Sequence, residues 1–285
     1  RLAGPRSRPV AGTTEALPPP AGEEMMSRPR TVLVGDDGTL AASAVTVVDS
    51  VASDDVGERL SDDPPACDAI LTLGERAFTR TARTAPSVPV VPIAAPTTPS
   101  RGVGADARRI GGPVRDPGAA VDALAADRLA AVDWTVLSVS VDGEAVGTAA
   151  LDAGLVTSEP ARISEYSVAD GDRHVETVRS DGIVVSTPLG SDGYGRAAGG
   201  PVLAPDTGVA VTPIAPFATG AGPAVLNGPV HLRVERDEGG VSLLVDDEVR
   251  REVPPATRVT CVPADRVRVL HLPADTRDDG AATRG

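Results

Sequence analysis

Lysine and glutamine do not occur in this sequence of 285 residues, and Asn227 is its only asparagine. Cysteine occurs twice, at Cys67 and Cys261, and aromatic residues make up 2% of the chain. Two cysteines cannot build a disulfide framework or a cysteine-ligated zinc site. The three histidines, His174, His231 and His271, form no metal-ligand spacing, so no metal site is expected from them. No apolar run approaches the roughly 18 residues that a membrane-spanning helix needs, which excludes an integral helical membrane protein. A formal charge of −13 would repel a phosphate backbone, so no nucleic-acid partner is expected either.

What is present is a charged surface of unusual make-up. All 27 basic residues are Arg, and the 40 acidic ones divide into 27 Asp and 13 Glu. An Asp-rich, Lys-free surface suits molar salt, where the Debye length falls to about 3 Å and carboxylates cease to repel one another. This composition predicts a cytoplasmic protein of an extreme halophile; GC-rich codon usage is the alternative source of the Arg-for-Lys replacement. Hydrophobic residues make up 41% of the chain, enough for one large core or two ordinary ones.

Residues 1–28 carry Pro18-Pro19-Pro20 and no apolar period, and read as a disordered extension. They lack the apolar stretch of a secretory signal, and Met25-Met26 just before the first strand makes Met26 an expected start. Residues 273–285 read as a disordered tail. From 29 to 130, Val-rich runs alternate with helical stretches. Strands are expected at Thr31–Val34, Ala44–Val48, Asp68–Leu73 and Val88–Ile93, with helices over about Phe78–Thr84 and Asp116–Leu129. This alternation predicts a parallel α/β sheet. From 131 to 272 the texture changes to short β-branched runs separated by Asp-Gly or Gly turns. VLSVSVDGEAVGTAAL and VHLRVERDEGGVSLLVDDEV carry hairpin signals, and this half is expected to be mostly antiparallel β.

The most informative segment is Ser180 to Pro205, SDGIVVSTPLGSDGYGRAAGGPVLAP. An apolar strand, Ile183-Val184-Val185, runs into Ser186-Thr187-Pro188, a glycine turn, Tyr194 and Gly199-Gly200-Pro201. Glycines allow close backbone approach, and a turn rich in N–H groups can meet phosphate or ribose oxygens. The segment resembles the DGxxVSTPTGSTAY…AGGP stretch of the NAD kinase family, and Val211-Thr212-Pro213-Ile214-Ala215-Pro216 resembles that family's LTPIxPH stretch. The resemblance runs from about 30 to 272, sharpest in the β half. It implies a fold with an N-terminal Rossmann-like parallel α/β domain followed by a mostly antiparallel β domain. It also implies a dinucleotide pocket lined by Asp152, Asp181, Ser186, Thr187, Gly190, Asp192, Gly193, Tyr194 and Ala197.

NAD kinases transfer a phosphoryl group from ATP or polyphosphate to the 2′-hydroxyl of the adenosine ribose of NAD, usually with Mg²⁺. Their GGDGT loop cradles phosphates and supplies an Asp as the base. Gly35-Asp36-Asp37-Gly38-Thr39 looks closest to that loop but follows the first strand. The frame of strands and the spacing of about 112 residues to Ser186-Thr187-Pro188 place the loop instead on Leu73-Gly74-Glu75-Arg76-Ala77. In that register Glu75 replaces a Gly and Arg76 replaces the catalytic Asp, leaving Asp37 as a substitute carboxylate. The family's Asn-Glu pair falls on Asp152-Ala153, the Asn of its GIN strand on Ala94 and its PIxPH histidine on Phe217, while Leu189 and Asp192 depart inside the turn. An arginine cannot serve as a base, because its pKa exceeds about 12; it can hold phosphate, which makes tighter binding of NADP than of NAD the expectation.

Two readings follow from this pattern. One is an active, divergent NAD kinase; the other is a nucleotide-binding protein with a regulatory role that kept the pocket and lost the chemistry. A lipid kinase of the same superfamily fits less well, because STPLGSDGY points to a dinucleotide. The resemblance further implies a homo-oligomer, a dimer or tetramer.

Overall fold

The computed structural model describes residues 29–35, 49–52, 66–84, 86–93, 117–159, 162–217, 220–237 and 239–273. The Ala44–Val48 strand, the Asp36-Asp37 turn, Ala94 and the two expected tails (Pro273 apart) lie outside these residues. Strands β1 (Thr31–Gly35), β2 (Asp49–Ala52), β3 (Ala69–Leu73) and β4 (Val90–Ile93) pair in parallel in the order β2-β1-β3-β4. Every residue of β1 and β4 is buried. Continuous apolar runs such as Val32-Leu33-Val34 fit a parallel strand covered on both faces.

Two helices accompany this sheet, α1 (Gly74–Arg83) and α2 (Pro117–Ala125). The first begins four residues earlier than the sequence pattern predicts. Gly74 adopts φ 84, a left-handed conformation that costs glycine little, and this lets β3 turn into α1 without an intervening loop. Pro117 starts α2, where its missing N–H costs nothing.

Apart from one short helix, the rest of the described regular structure is β. Strand β5 (Ala130–Val141) pairs with β6 (Glu144–Ala149) through the Asp142-Gly143 turn, a hairpin legible in the sequence. The long β16 (Arg258–His271) runs antiparallel to β5 and to β13 (Val230–Arg236), and its Val269 meets Val90 of β4 in parallel. Strands β8 (Ser164–Asp170) and β9 (Arg173–Ser180) complete this ten-stranded sheet. A second sheet of six strands has the order β12-β11-β10-β7-β14-β15. Its members are β7 (Asp152–Thr157), β10 (Gly182–Ser186), β11 (Val209–Ile214), β12 (Ala224–Leu226), β14 (Val241–Val245) and β15 (Glu248–Glu252).

The expected hairpin between β13 and β14 does not form. The two strands lie in different sheets, and β14 pairs instead with β15 across Asp246-Asp247. Alternation in Val230, Leu232 and Val234 and in Val241, Leu243 and Val245 sends all six into one buried cluster. Strands facing each other across a sandwich satisfy that pattern as well as strands side by side, so period two alone does not choose between them.

A smaller buried cluster decides where the site lies. Phe78 and Ala82 of α1 pack with Val90, Trp134, Val136, Val267, Val269, Ala150 and Leu189. The α/β half is thereby seated on the segment before β7 and on the glycine turn after β10.

Candidate functional site

The site is built where three chain segments meet: the start of α1, the β7 entry at Ala150-Leu151-Asp152, and the turn after β10. All of Gly182–Ser186 is buried, and Thr187 leaves the strand with its hydroxyl donating to Ala150 O at 2.7 Å while Gly190 N–H donates to the same hydroxyl at 3.1 Å. Thr187 N–H also donates to Leu151 O at 2.8 Å. Ser191 Oγ donates to Pro188 O at 2.8 Å and accepts from Leu203 N–H at 2.9 Å. These bonds explain Thr187-Pro188-x-Gly190-Ser191 as a folding unit: the Thr187 and Ser191 hydroxyls satisfy backbone groups of a buried turn.

The glycines of this unit are set by close approach. A Cβ on Gly190 would collide with the Leu151 backbone, one on Gly195 with Ser186 Oγ, and one on Gly200 with Thr212 Oγ1. Among the described residues, Ser186 Oγ and Thr212 Oγ1 are buried without a hydrogen-bond partner. Gly190→Ala should therefore cost about 1–3 kcal/mol by overpacking and displace the β7 entry. Denaturant unfolding of the variant checks this, with an unchanged midpoint as the opposing result.

Tyr194 opens the short helix α3 (Tyr194–Ala197) and is 50% exposed, with Ala197 also exposed on that turn. Asp192 is buried and paired with Arg196 of α3. Gly193 is half-buried between them, and Asp181 is exposed at the other end of β10. Phe217, at the expected histidine position, is 74% exposed. Ala153 is buried in the core and has no carboxylate to offer.

Electrostatics bring a different set of residues together. Burial, followed by the charges of Asp246, Glu75 and Asp247, pushes the Asp152 carboxyl up from 3.8 to about 7. Burial and then Asp247 raise the Glu75 carboxyl. The Tyr194 phenol is raised by burial and then by Asp152 and Asp181. Asp152 at the start of β7 thus feels Glu75 in the first turn of α1 and is itself felt by Tyr194 on the turn after β10. Arg76 follows Glu75 on the exposed side of α1. No group of three or more His, Cys, Asp or Glu side chains among the described residues could hold a metal ion, so Mg²⁺ finds no cage made of protein ligands alone there.

The site residues that sequence reasoning passed over are Asp246 and Arg83. The Asp246-Asp247 pair between two Val-containing runs was the visible signal. Arg83 Nε donates to Asp246 Oδ2 at 2.5 Å, and Arg83 Nη1 donates to Glu248 at 3.0 Å. Burial opposes the charge on Arg83, yet Asp246 and Glu248 hold its pKa above the ordinary value.

Residues 137–269 match the ATP-NAD kinase C-terminal domain. The β-rich part of the chain is thus similar to the C-terminal domain of ATP-NAD kinases. It is 34% identical over 135 residues to the NAD kinase of Methanopyrus kandleri, a match covering 45% of this chain and 46% of that one. To the bifunctional NADP phosphatase/NAD kinase of Methanocaldococcus jannaschii it is 37% identical over 101 residues, covering 35% of this chain and 18% of the relative. The chain thus spans less than half the length of these curated relatives. Among solved structures, yeast NADH kinase in complex with NADH superimposes with a TM-score of 0.66 at 15% identity, over 86% of this chain and 84% of that one. An Archaeoglobus fulgidus NAD kinase in complex with ATP gives 0.58 at 18% identity, over 86% and 94%. The α/β plus β architecture is the NAD kinase fold. No helix among the described residues is long and apolar enough to cross a membrane.

Proposed function

We propose that this protein is an NAD kinase whose base is Glu75. The observation that carries this reading is the packing of α1 against Ala150 and Leu189, with Glu75 at its N-terminus and Tyr194 on the turn after β10 both electrostatically coupled to Asp152. Gly74, at φ 84 where α1 starts, is taken in this reading as the second glycine of GGDGT. The register then moves by one residue: Glu75 takes the place of the Asp, and Arg76 that of the following Gly. A carboxylate, raised by burial and by Asp247, is available where the chemistry needs one.

In the reaction the 2′-oxygen of the adenosine ribose bonds to the terminal phosphorus of the donor as the bridging P–O bond breaks. The hydroxyl proton passes to Glu75, and the nucleoside diphosphate departs. Asp152 lies in the β7 entry, and while protonated it offers both a donor and an acceptor, as the family's Asn amide does. Tyr194 presents an exposed ring face for a base. ATP is the donor supported by a solved relative, and Mg²⁺ would come with its phosphates, as is common for this ion. Polyphosphate is the second donor to try. The composition supports work in molar salt within the cytoplasm, and the family resemblance supports a homo-oligomer.

A reading as a nucleotide-binding protein without turnover draws its support from Ala153 and Phe217, but not from the loop, once Glu75 is its acid. Incubation of the purified protein with NAD, ATP and Mg²⁺ in molar salt, with NADP read by an NADP-specific dehydrogenase, tests the proposal. Steady formation of NADP is expected. Binding of NAD with no NADP formed from ATP or polyphosphate would favour the binding protein.

A further inference from the structure

The Asp246 side chain is 1% exposed, and a buried carboxylate must find partners. Its Oδ1 accepts Leu151 N–H at 2.7 Å and Asp152 N–H at 3.1 Å. Its Oδ2 accepts Ala150 N–H at 3.2 Å and Arg83 Nε–H at 2.5 Å. The turn reciprocates, since Asp246 N–H donates to Asp152 O at 2.7 Å. Arg83 is held further by Glu248 at 3.0 Å and by Val245 O at 3.2 Å, and Arg80 reaches Glu248 at 3.2 Å.

A carboxylate that merely shaped the β14–β15 turn would accept N–H groups of that turn. Asp246 instead sends all four of these bonds outward, to the segment carrying Asp152 and to the helix carrying Glu75. Arg83 lies eight residues beyond Glu75 on α1, about 12 Å along the axis. A helix of that length is stiff enough for a hold on its last turn to fix where its first turn lies.

We propose that Asp246 is a positioning residue for phosphoryl transfer: by gripping the 150–152 amides and Arg83 together, it sets Glu75 against Asp152. It touches neither substrate. The proposal rests on the kinase reading above, but the grip itself is measurable without turnover.

The decisive variants are Asp246→Asn and Arg83→Met, singly and together. The Asn carbonyl keeps the Leu151 and Asp152 bonds, while its NH₂ meets the Ala150 N–H and the Arg83 Nε–H donor against donor. Arg83→Met releases the helix and leaves the three amides bound. Each variant is expected to lower kcat by about 10- to 100-fold, the scale of a misplaced reacting group, with KM for NAD changed by less than about threefold. The double variant should be no worse than the worse single one, because both break one linkage. Arg83→Lys should recover part of the lost kcat. Amide exchange at Ala150 should speed at least about tenfold in Asp246→Asn, while that of Val184 on β10 stays as in the wild type.

Unchanged kcat in both single variants would overturn the proposal, and so would losses that multiply in the double variant. Should Asp246→Asn fail to fold, Arg83→Met and Arg83→Lys carry the same kcat comparison. If the wild type forms no NADP, the kinase reading fails on its own, and amide exchange decides the grip: faster exchange at Ala150 upholds it, unaltered exchange ends it.

Discussion

Glu75→Gln will lower the rate of NADP formation by about 10²–10⁴-fold, the usual contribution of a positioned base, while NAD stays bound. Gln is close to Glu in shape and helix propensity, so α1 and its Phe78 and Ala82 contacts to the junction cluster remain. The amide cannot take the proton of the ribose hydroxyl. Arg76→Asp provides the contrast. Were Arg76 the residue at the catalytic position, Asp there would restore a base and raise the rate. With Glu75 as the base, Arg76→Asp adds a second acid beside Glu75 and leaves the rate unchanged or lower. Initial rates of NADP formation for the two variants separate these outcomes.

Asp152→Asn will stabilise the protein in alkaline solution. The Asp152 carboxyl is raised in the folded state from 3.8 to about 7, by burial first and by Asp246, Glu75 and Asp247 after it. Between those values the folded chain holds a proton that the unfolded chain has lost. The associated stability is fully present below the unfolded value and is lost as pH rises through about 7. At pH 8–9 the ionised carboxylate therefore costs on the order of 2–4 kcal/mol, and Asn removes that cost while supplying an amide like that of the family motif. Urea midpoints of the two proteins should coincide below about pH 4, separate progressively as pH rises from about 4 to 7, and keep a constant gap above that, with the variant the more stable. Parallel pH profiles would show that Asp152 ionises freely and does not feel its neighbours. The same titration bears on function, since NAD affinity of the wild type should fall as Asp152 loses its donor, whereas that of the variant should not.

Much of this architecture was legible in the sequence, for reasons that can be named residue by residue. Thr31–Val34, Asp68–Leu73 and Val88–Ile93 read as strands because short, mostly apolar runs rich in Val, Ile and Leu suit a parallel sheet covered on both faces. The β5–β6 hairpin read from Asp142-Gly143, whose left-handed geometry (φ 48 and 86) is what such a pair provides. The turn from Ser186 to Ser191 read from its glycines and hydroxyls. What failed to read was long-range. Alternation could not say that β13 and β14 join different sheets, since both strands bury the same face into one core. The start of α1 was missed because Gly74, ordinarily a helix breaker, serves as the hinge that lets β3 run straight into the helix. The register of the phosphate loop turns on that same residue: taken as the first glycine it puts Arg76 at the catalytic position, and taken as the second, as proposed here, it puts Glu75 there. Asp246 and Arg83 are 163 residues apart, and no spacing rule joins such a pair.

If Glu75 rather than Arg76 faces the ribose hydroxyl that becomes phosphorylated, a crystal structure of the Glu75→Gln protein with NADP and ADP will show it most directly. Product bound to the disabled enzyme marks where the transferred group rests. The amide side chain introduced at position 75 is expected within hydrogen-bond reach, about 2.6–3.2 Å, of the 2′-oxygen, with Asp152 nearby and Tyr194 against a base. A 2′-phosphate held by the Arg76 guanidinium, with the side chain at position 75 turned to solvent, would contradict Glu75 as the base.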